Sequence, residues 1–277
     1  MIFGRRTAAM VFAGLAALLA VPSDSQPLPS PAPTPLQIRI VAMAPFARLV
    51  DAIGKDYMRA NAGAPPVSVR EMTYREAIRS LEGGDSDIAV LDRAPEVAAD
   101  IARPIAVVPY AIVADPSAGV ASLTRAQIGT IFSGSARNWS ALGGANAPIV
   151  PVLRAPSSGT TKLFAAAFGA PSASDGLLVD NTSGAVLQAV RTTRGSVGYV
   201  GLPYARDPAG VRVIAIDGAL PSAETIAAGR YPFYTAVHAV TTGLANVTQS
   251  RFLSFFETRR DTLHEAGFLT IFEARRR

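Results

Sequence analysis

The segment RAPSSGTT lies near the middle of the 277-residue sequence. It begins with an arginine and continues with hydroxyl residues and a glycine. Arg154 carries a planar guanidinium that stays charged and donates paired hydrogen bonds to oxyanions. Ser158 and Thr160 add hydroxyl donors, and Gly159 between them lets a ligand approach the backbone closely. These residue types at this spacing predict a site for an anion.

The elements on either side of this run favour the same interpretation. The segment PIVPVLR is typical of a strand and ends at Arg154, whereas TTKLFAAAFG is typical of a helix. The first N–H groups of a helix lack intrahelical partners, and the helix dipole adds partial positive charge, so anions bind there. The alternative is that Ser158 and Thr160 only cap the helix. The run is not a nucleotide-binding P-loop, because GxxxxGK[ST] does not occur.

A second predicted strand end carries a carboxylate. The apolar run DIAVL leads into Asp92, which is followed by Arg93 and Pro95. A carboxylate beside an anion site is favourable when the anion keeps a proton, because the carboxylate then accepts that hydrogen bond. The alternative is a salt bridge from Asp92 to Arg93 or to Arg154.

Predicted strands and helices alternate from Leu36 onwards. The strands are LQIRIVAM, PVSVREM, SDIAVLD, PIAVVPYAIVAD, PIVPVLR, SVGYVG, VRVIAID and YTAVHAVTTG, and the helices are FARLVDAIGKDYM, YREAIRSLEGG, LTRAQIGTIFSG, TTKLFAAAFG, SGAVLQAVRTTRG and QSRFLSFFETRRDTLHEAGF. This alternation predicts an α/β fold with a mixed, mostly parallel sheet covered on both faces. In such sheets ligands bind beyond the carboxyl ends of strands, where Asp92 and Arg154 lie.

The N-terminal segment predicts secretion. Two arginines precede a short apolar run at residues 8–20, as in a signal peptide, which we assign to residues 1–25. Residues 26–35 form a Pro-rich leader. The apolar run is short for a membrane-spanning helix, although an uncleaved anchor is the alternative. The sequence has no cysteine for lipid attachment, so we expect a periplasmic or secreted protein that is not a lipoprotein.

Composition excludes several other classes of function. Without cysteine there are no disulfides, thiolate nucleophiles or cysteine metal sites. The two histidines, His238 and His264, lack metal-ligand spacing, and we expect them to be structural. There is no GxSxG motif and no evident base for Ser158, so we expect no enzyme, metal or cofactor. The net charge of +5 is spread over scattered basic residues, which argues against nucleic acid binding.

Four stretches together resemble the periplasmic phosphate-binding proteins of ABC-type phosphate transporters: IGTIFSGSARNWSALGG, PIVPVLRAPSSGTTKLF, GSVGYVGLPYA and YPFYTAVHAVTTG. The resemblance covers most of residues 36–268 and implies a two-lobe, type II periplasmic-binding-protein fold that closes over one tetrahedral anion. The contacts that it implies are the backbone N–H of a phenylalanine, a proton-accepting aspartate, an arginine and a Ser-Gly-Thr triplet, which fall on Phe46, Asp92, Arg154, Ser158, Gly159 and Thr160.

The first lobe departs from this family at two loops. In AMAPF, Ala44 and Pro45 stand where the family has a small hydroxyl residue. In REMTYREA, which replaces a glycine- and serine-rich loop, Thr73 or Tyr74 can supply a hydroxyl, but Glu71 and Glu76 bring negative charge. The resemblance therefore implies a site whose first lobe contributes fewer donors than is usual.

We expect a monomeric, non-enzymatic protein that captures inorganic phosphate in an interlobe cleft and delivers it to an ABC transporter permease. The alternative is an orphan protein of the same fold that binds another oxyanion or no small ligand and serves as a sensor or assembly partner. Lobe 1 is predicted at residues 36–112 with 232–277, and lobe 2 at residues 113–231. The strands VVPYAIVAD and YPFYTAV join the lobes as a hinge.

Overall fold

The structure is a computed structural model that describes residues 37–44, 46–95, 100–206 and 209–274. The predicted signal peptide and Pro-rich leader lie outside these residues, and so does Pro45. Within the described ranges, every helix is too short or too polar to cross a membrane.

The strands form one mixed sheet with the order β2-β1-β3-β10-β4-β8-β6-β7, and β9 pairs with both β4 and β5. The described strands are β1 (Ile38–Ala42), β2 (Val67–Glu71), β3 (Ile88–Leu91), β4 (Asp100–Ala114), β5 (Ser122–Leu123), β6 (Val150–Leu153), β7 (Leu177–Leu178), β8 (Ser196–Gly201), β9 (Arg212–Ile216) and β10 (Tyr234–Thr242). The eight predicted strands are present, and the two-residue strands β5 and β7 are additional.

The helices are α1 (Phe46–Ala60), α2 (Tyr74–Glu82), α3 (Arg125–Phe132), α4 (Gly159–Phe168), α5 (Ser183–Thr192), α6 (Leu202–Ala205), α7 (Ala223–Ala227), α8 (Val247–Glu257), α9 (Arg260–Glu265) and α10 (Ile271–Ala274). The predicted capping box of α3 is confirmed, because Thr124 and Gln127 exchange hydrogen bonds of 2.8 and 3.1 Å. Gly83 caps the end of α2, as predicted, whereas α5 ends at Thr192, before the predicted Gly195.

The long strand β4 divides the sheet into two halves. Residues 100–109 of β4 pair with β10, which also pairs with β3, and β3 continues to β1 and β2. Residues 110–114 pair instead with β8 and β9. We call β1, β2, β3 and β10 the first sheet half, and β5, β6, β7, β8 and β9 the second sheet half. The predicted division into lobes near residue 112 remains a prediction.

The sheet is mixed because β4 and β10 run antiparallel to their neighbours. Parallel pairing holds within each half, between β1 and both β2 and β3, and between β6 and both β7 and β8. The carboxyl ends of the parallel strands in each half therefore lie at one edge of that half, where ligands of such sheets bind.

Aromatic packing fixes the helix that follows β6. Phe164 and Phe168 of α4 pack against the rings of Phe132, Tyr199 and Phe233. The ring centroids of Phe164 and Tyr199 lie 4.5 Å apart, and both side chains are fully buried. Each such pair contributes about 0.5–1.5 kcal/mol beyond its buried area. The start of α4 is thus held in place at the end of β6.

Candidate anion-binding site

The strand ends of the two sheet halves meet at Gly159, the first residue of α4. A methyl group added at Gly159 would lie 2.9 Å from Oδ2 of Asp92 and 2.6 Å from Nη1 of Arg93. Asp92 and Arg93 directly follow β3, whereas Gly159 lies six residues after the end of β6 at Leu153. The structure therefore brings the predicted Asp92 and the predicted Ser-Gly-Thr triplet into contact.

The guanidinium of Arg154 is buried without a counter-charge. Arg154 is only 5% exposed. Its Nη1 donates to Oγ1 of Thr160 at 3.2 Å and its Nη2 donates to Oγ of Ser183 at 2.9 Å. Its Nε has no hydrogen-bond partner, and none of the described carboxylates forms an ion pair with it. Burial lowers the pKa of Arg154, since the charged form loses hydration.

A buried cation in this position favours the binding of an anion. Removing a charge from water without a partner costs several kcal/mol, and a desolvated anion would offset that cost with charge-assisted hydrogen bonds. The free Nε and the neighbouring start of α4 would both donate to the same ligand.

The first turn of α4 keeps its donors available. Ser158 occupies the N-cap position, but within the described chain its side chain makes no capping hydrogen bond. The side chain of Ser158 therefore does not cap α4, and anion binding by Ser158 and Thr160 stays a prediction. Thr160 accepts a hydrogen bond from Arg154, and the hydroxyl of Thr161 lies 3.0 Å from that of Tyr199. The N-terminal amides of a ten-residue helix thus lie next to the guanidinium.

Asp92 forms the salt bridge with Arg93 that was one of the sequence-based alternatives. Oδ1 of Asp92 accepts from Nη1 of Arg93 at 2.9 Å, and the Asp92 side chain is 11% exposed. Burial raises the pKa of Asp92, although the positive charge of Arg93 opposes this effect. Oδ2 faces Gly159, so the carboxylate can accept a proton from a ligand at the start of α4 while it holds Arg93.

From the sequence, Arg93 is expected only as a partner of Asp92, but in the structure its guanidinium makes two further contacts. Its guanidinium carbon lies 3.7 Å from the ring centroid of Tyr74, and its Nη1 approaches Gly159. The hydroxyl of Thr73 is occupied, because it donates to Oε2 of Glu76 at 2.7 Å. The second loop therefore supplies an aromatic ring that orients Arg93.

Phe46 is the first residue of α1 and is buried. Its backbone N–H, through which the resemblance implies ligand binding, donates to the carbonyl of Met43 at 2.7 Å. The predicted donor of Phe46 is thus already occupied, as is the hydroxyl of Thr160, which bonds to Arg154 and Tyr110. The contact of Phe46 with a ligand remains a prediction.

Three further polar residues adjoin the site although no motif marked them. Ser183 accepts from both Arg154 and the N–H of Gly201, so it fixes the guanidinium to the end of β8. Burial and the charge of Asp92 raise the pKa of Tyr110 to about 12, although a hydrogen bond with Thr160 acts to lower the pKa. The ring of Tyr199 lies 5.7 Å from the guanidinium carbon. The described residues contain no cluster of three His, Asp or Glu side chains suited to a metal ion.

A family model described as a PBP superfamily domain matches residues 29–258. The chain belongs to this superfamily. Two curated relatives named "Phosphate-binding protein PstS" are also similar to it. The Bacillus subtilis protein is 29% identical over 198 residues, which are 69% of this chain and 65% of the relative. The Borreliella burgdorferi protein is 27% identical over 173 residues, which are 57% of this chain and 62% of the relative. The matches span less than two thirds of either relative.

Solved structures of superfamily members share the fold. A putative phosphate ABC transporter substrate-binding protein with bound phosphate, from Clostridium perfringens, superposes with a TM-score of 0.74 at 21% identity, over 85% of this chain and 100% of the other. An ABC-type phosphate transport receptor from Vibrio cholerae gives a TM-score of 0.66 at 23% identity, over 85% and 100%. The predicted fold class, a type II periplasmic-binding-protein fold with a mixed sheet, is confirmed.

Proposed function

We propose that this protein is a solute-binding protein that captures inorganic phosphate between its two sheet halves and delivers it to an ABC transporter. One observation carries the proposal: the buried guanidinium of Arg154 has no carboxylate partner among the described residues and lies beside the uncapped start of α4. The names of the relatives point to the same ligand and the same transport context.

The second sheet half supplies most of the donors. Arg154 donates through Nε, the backbone N–H groups of Gly159 and Thr160 complete the cradle, and the hydroxyl of Ser158 adds a further hydrogen bond. These groups compensate the negative charge of a tetrahedral anion in a largely dry environment, where such hydrogen bonds are strong.

The first sheet half supplies the selectivity. Near neutral pH phosphate keeps at least one O–H, which donates a hydrogen bond to Oδ2 of Asp92, whereas sulfate has no O–H to donate. Against sulfate the same carboxylate is a buried like charge. Arg93 replaces the hydroxyl donors that the first two loops lack, and Phe46 contributes its N–H only when the hydrogen bond to Met43 opens.

The remaining parts of the proposal concern context. The binding protein is monomeric, is exported by its N-terminal segment, and docks on a transporter permease. It is not an enzyme, because the site offers no base beside Ser158 in the described chain, and Asp92 is paired with Arg93. The superfamily to which the chain belongs is one of binding domains.

The second candidate is an orphan binding protein or sensor with the same fold. It is favoured by the occupied N–H of Phe46 and by Ala44 and Glu71 in the first two loops, which leave the first sheet half poor in donors. Such a protein would bind another oxyanion or none.

Calorimetric titration of the purified protein with phosphate, arsenate, sulfate and molybdate separates the two candidates. We expect phosphate and arsenate to bind, with sulfate at least about tenfold weaker, the effect of one unfavourable charged contact. Tight binding of sulfate or molybdate, or binding of none of the four, would favour the orphan protein.

A further inference from the structure

A cavity lies between the two sheet halves, next to the anion site. Its volume is about 350 Å³, and it is lined mainly by Ala44, Arg48, Glu71, Pro203, Tyr204 and Phe268. Sites for small organic ligands begin at about 300 Å³. A cavity of this size holds roughly ten water molecules, more than one tetrahedral anion would displace.

Strand register places this cavity beside Asp92. Ala42 at the end of β1 pairs with Val90 of β3 on one side and with Glu71 of β2 on the other. Neighbouring strands are about 4.8 Å apart, so Glu71 lies two strands, about 10 Å, from Val90, and Ala44 and Asp92 follow Ala42 and Val90 by two residues at the same edge of the first sheet half.

The second sheet half connects the cavity to Arg154. Ser183, which accepts from Nη2 of Arg154, also accepts from the N–H of Gly201, the residue before α6. Helix α6 carries Pro203 and Tyr204, which form the opposite wall of the cavity. Burial raises the pKa of Tyr204, and the Glu71 carboxylate raises it further. The positive charges of Arg48 and Arg154 act to lower the same pKa. Tyr204 therefore lies within electrostatic reach of both sites.

The cavity occupies the place where the first two loops depart from the family pattern. Ala44 presents a methyl group and leaves space, and Glu71 presents a carboxylate that would repel a bare anion. The side chains of Arg48 and Glu71 make no hydrogen bond or ion pair with one another or with any other described residue. The wall thus carries one guanidinium and one carboxylate, and Glu71 offers an unpaired acceptor to a ligand group that donates hydrogen bonds.

We infer that the site accepts small phosphate monoesters that carry an amine, with the phosphate at Arg154 and α4 and the amine-bearing carrier in this cavity against Glu71. This inference rests on the proposed function and deepens it, since the anion cradle is the same. The buried side chains of Phe268 and Leu49 form the apolar part of the cavity lining, next to the methylene groups of the carrier.

Three probes test the inference by calorimetry: inorganic phosphate, O-phosphoethanolamine and ethyl phosphate. Ethyl phosphate has the same two-carbon chain without the amine. We expect O-phosphoethanolamine to bind wild type roughly tenfold more tightly than ethyl phosphate, the lower end of the range for one hydrogen bond to a charged group. Glu71→Gln should abolish this preference, and Glu82→Gln, the same change at an exposed site on α2, should preserve it.

A cavity-filling variant gives an independent measurement. Ala44→Leu should weaken both esters relative to inorganic phosphate, because the added side chain occupies the space of the carrier. If inorganic phosphate binds wild type and both esters are rejected, or the two esters bind alike, the inference is overturned while the proposed function stands. If none of the three probes binds, the proposed function fails and the inference fails with it.

Discussion

At the scale of single residues, the chemistry depends on charges that are buried unequally. Arg154 is buried without a counter-charge, whereas Asp92 is buried with Arg93 as its partner. Binding of an anion would compensate the positive charge of Arg154 and leave the salt bridge between Asp92 and Arg93 almost unchanged. We therefore expect the two residues to have separate roles, Arg154 in affinity and Asp92 in distinguishing a protonated anion from one without protons.

Asp92→Asn should reduce the discrimination between phosphate and sulfate. The amide can turn its NH₂ group toward the ligand, so sulfate gains a donor and the like-charge repulsion disappears. We expect the ratio of sulfate to phosphate dissociation constants to fall by roughly tenfold in paired titrations at fixed pH and salt. Asp261→Asn, an exposed change on α9, serves as the control. An equal loss of affinity for both anions would mean that Asp92 only positions Arg93.

Motif reasoning found the residues whose roles follow from chain order, and it missed those whose roles follow from packing. Arg154, Ser158, Gly159 and Thr160 follow one strand and start one helix, so their grouping was readable from the sequence. Ser183 lies in α5 and reaches Arg154 only because β6 and β8 are neighbours in the sheet. No spacing in the sequence signals such a contact.

At the scale of elements, the close approach of β3 and α4 requires glycine at the first helical position. Gly159→Ala should leave the fold intact, because alanine favours helix and stabilises by up to about 1 kcal/mol. Its methyl group would displace Asp92 and Arg93, however, and we expect phosphate affinity to fall roughly tenfold.

The matched control for Gly159→Ala is Gly184→Ala. Gly184 also lies in the first turn of a helix, α5, and a methyl group there would meet only Oγ1 of Thr182 at 4.0 Å. Thermal melts and phosphate titrations of both variants separate helix propensity from the contact with Asp92. Unchanged affinity in Gly159→Ala would show that the two loops need not approach this closely.

The short helix α10 holds the chain segment that carries Phe268 in place. Glu273 accepts from the N–H and hydroxyl of Thr270, at 3.0 and 2.9 Å, and contacts His264 at 2.8 Å. Burial acts to raise the pKa of Glu273, but these hydrogen bonds outweigh burial and lower the pKa to about 2. The folded-state pKa is depressed, so the carboxylate stabilises the fold above about pH 4.5 and loses this effect as the pH falls toward 2.

Glu273→Gln should therefore lower the free energy of unfolding at pH 7 by about 1–2 kcal/mol, the size of one or two such hydrogen bonds. The difference from wild type should shrink as the pH falls below about 4. Denaturant titrations at a series of pH values measure this difference. A difference that stays constant between pH 7 and pH 3 would contradict the assigned pKa direction.

Element prediction succeeded where hydrophobic patterns were long and failed where elements were short. The capping box of α3 and the apolar runs of β3, β4 and β8 were recognisable. Strands β5 and β7 have two residues each, and α6 and α10 have four, too few for a period to show. These short elements form only because the neighbouring strand or helix supplies their partners.

At the scale of the whole molecule, β4 and β10 connect the two sheet halves. The partner of β4 changes between Pro109 and Tyr110, and we expect one half to rotate against the other at this position. The sequence indicated this crossover because both strands are long and apolar. The contact of Asp92 with Gly159 was not readable from it, since two distant loops meet there only in the folded chain.

The most direct test of the central claim is calorimetric titration of phosphate into wild type, Arg154→Ala, Arg154→Lys and the exposed control Arg212→Ala, with thermal melts of each protein without ligand. The buried guanidinium contributes charge-assisted hydrogen bonds of about 1.5–3 kcal/mol each. We predict that Arg154→Ala weakens phosphate binding at least about tenfold, that lysine restores part of it, and that Arg212→Ala changes nothing. The melting temperature of Arg154→Ala should remain close to that of wild type. Phosphate affinity that is the same in Arg154→Ala and wild type would contradict the assignment of this site.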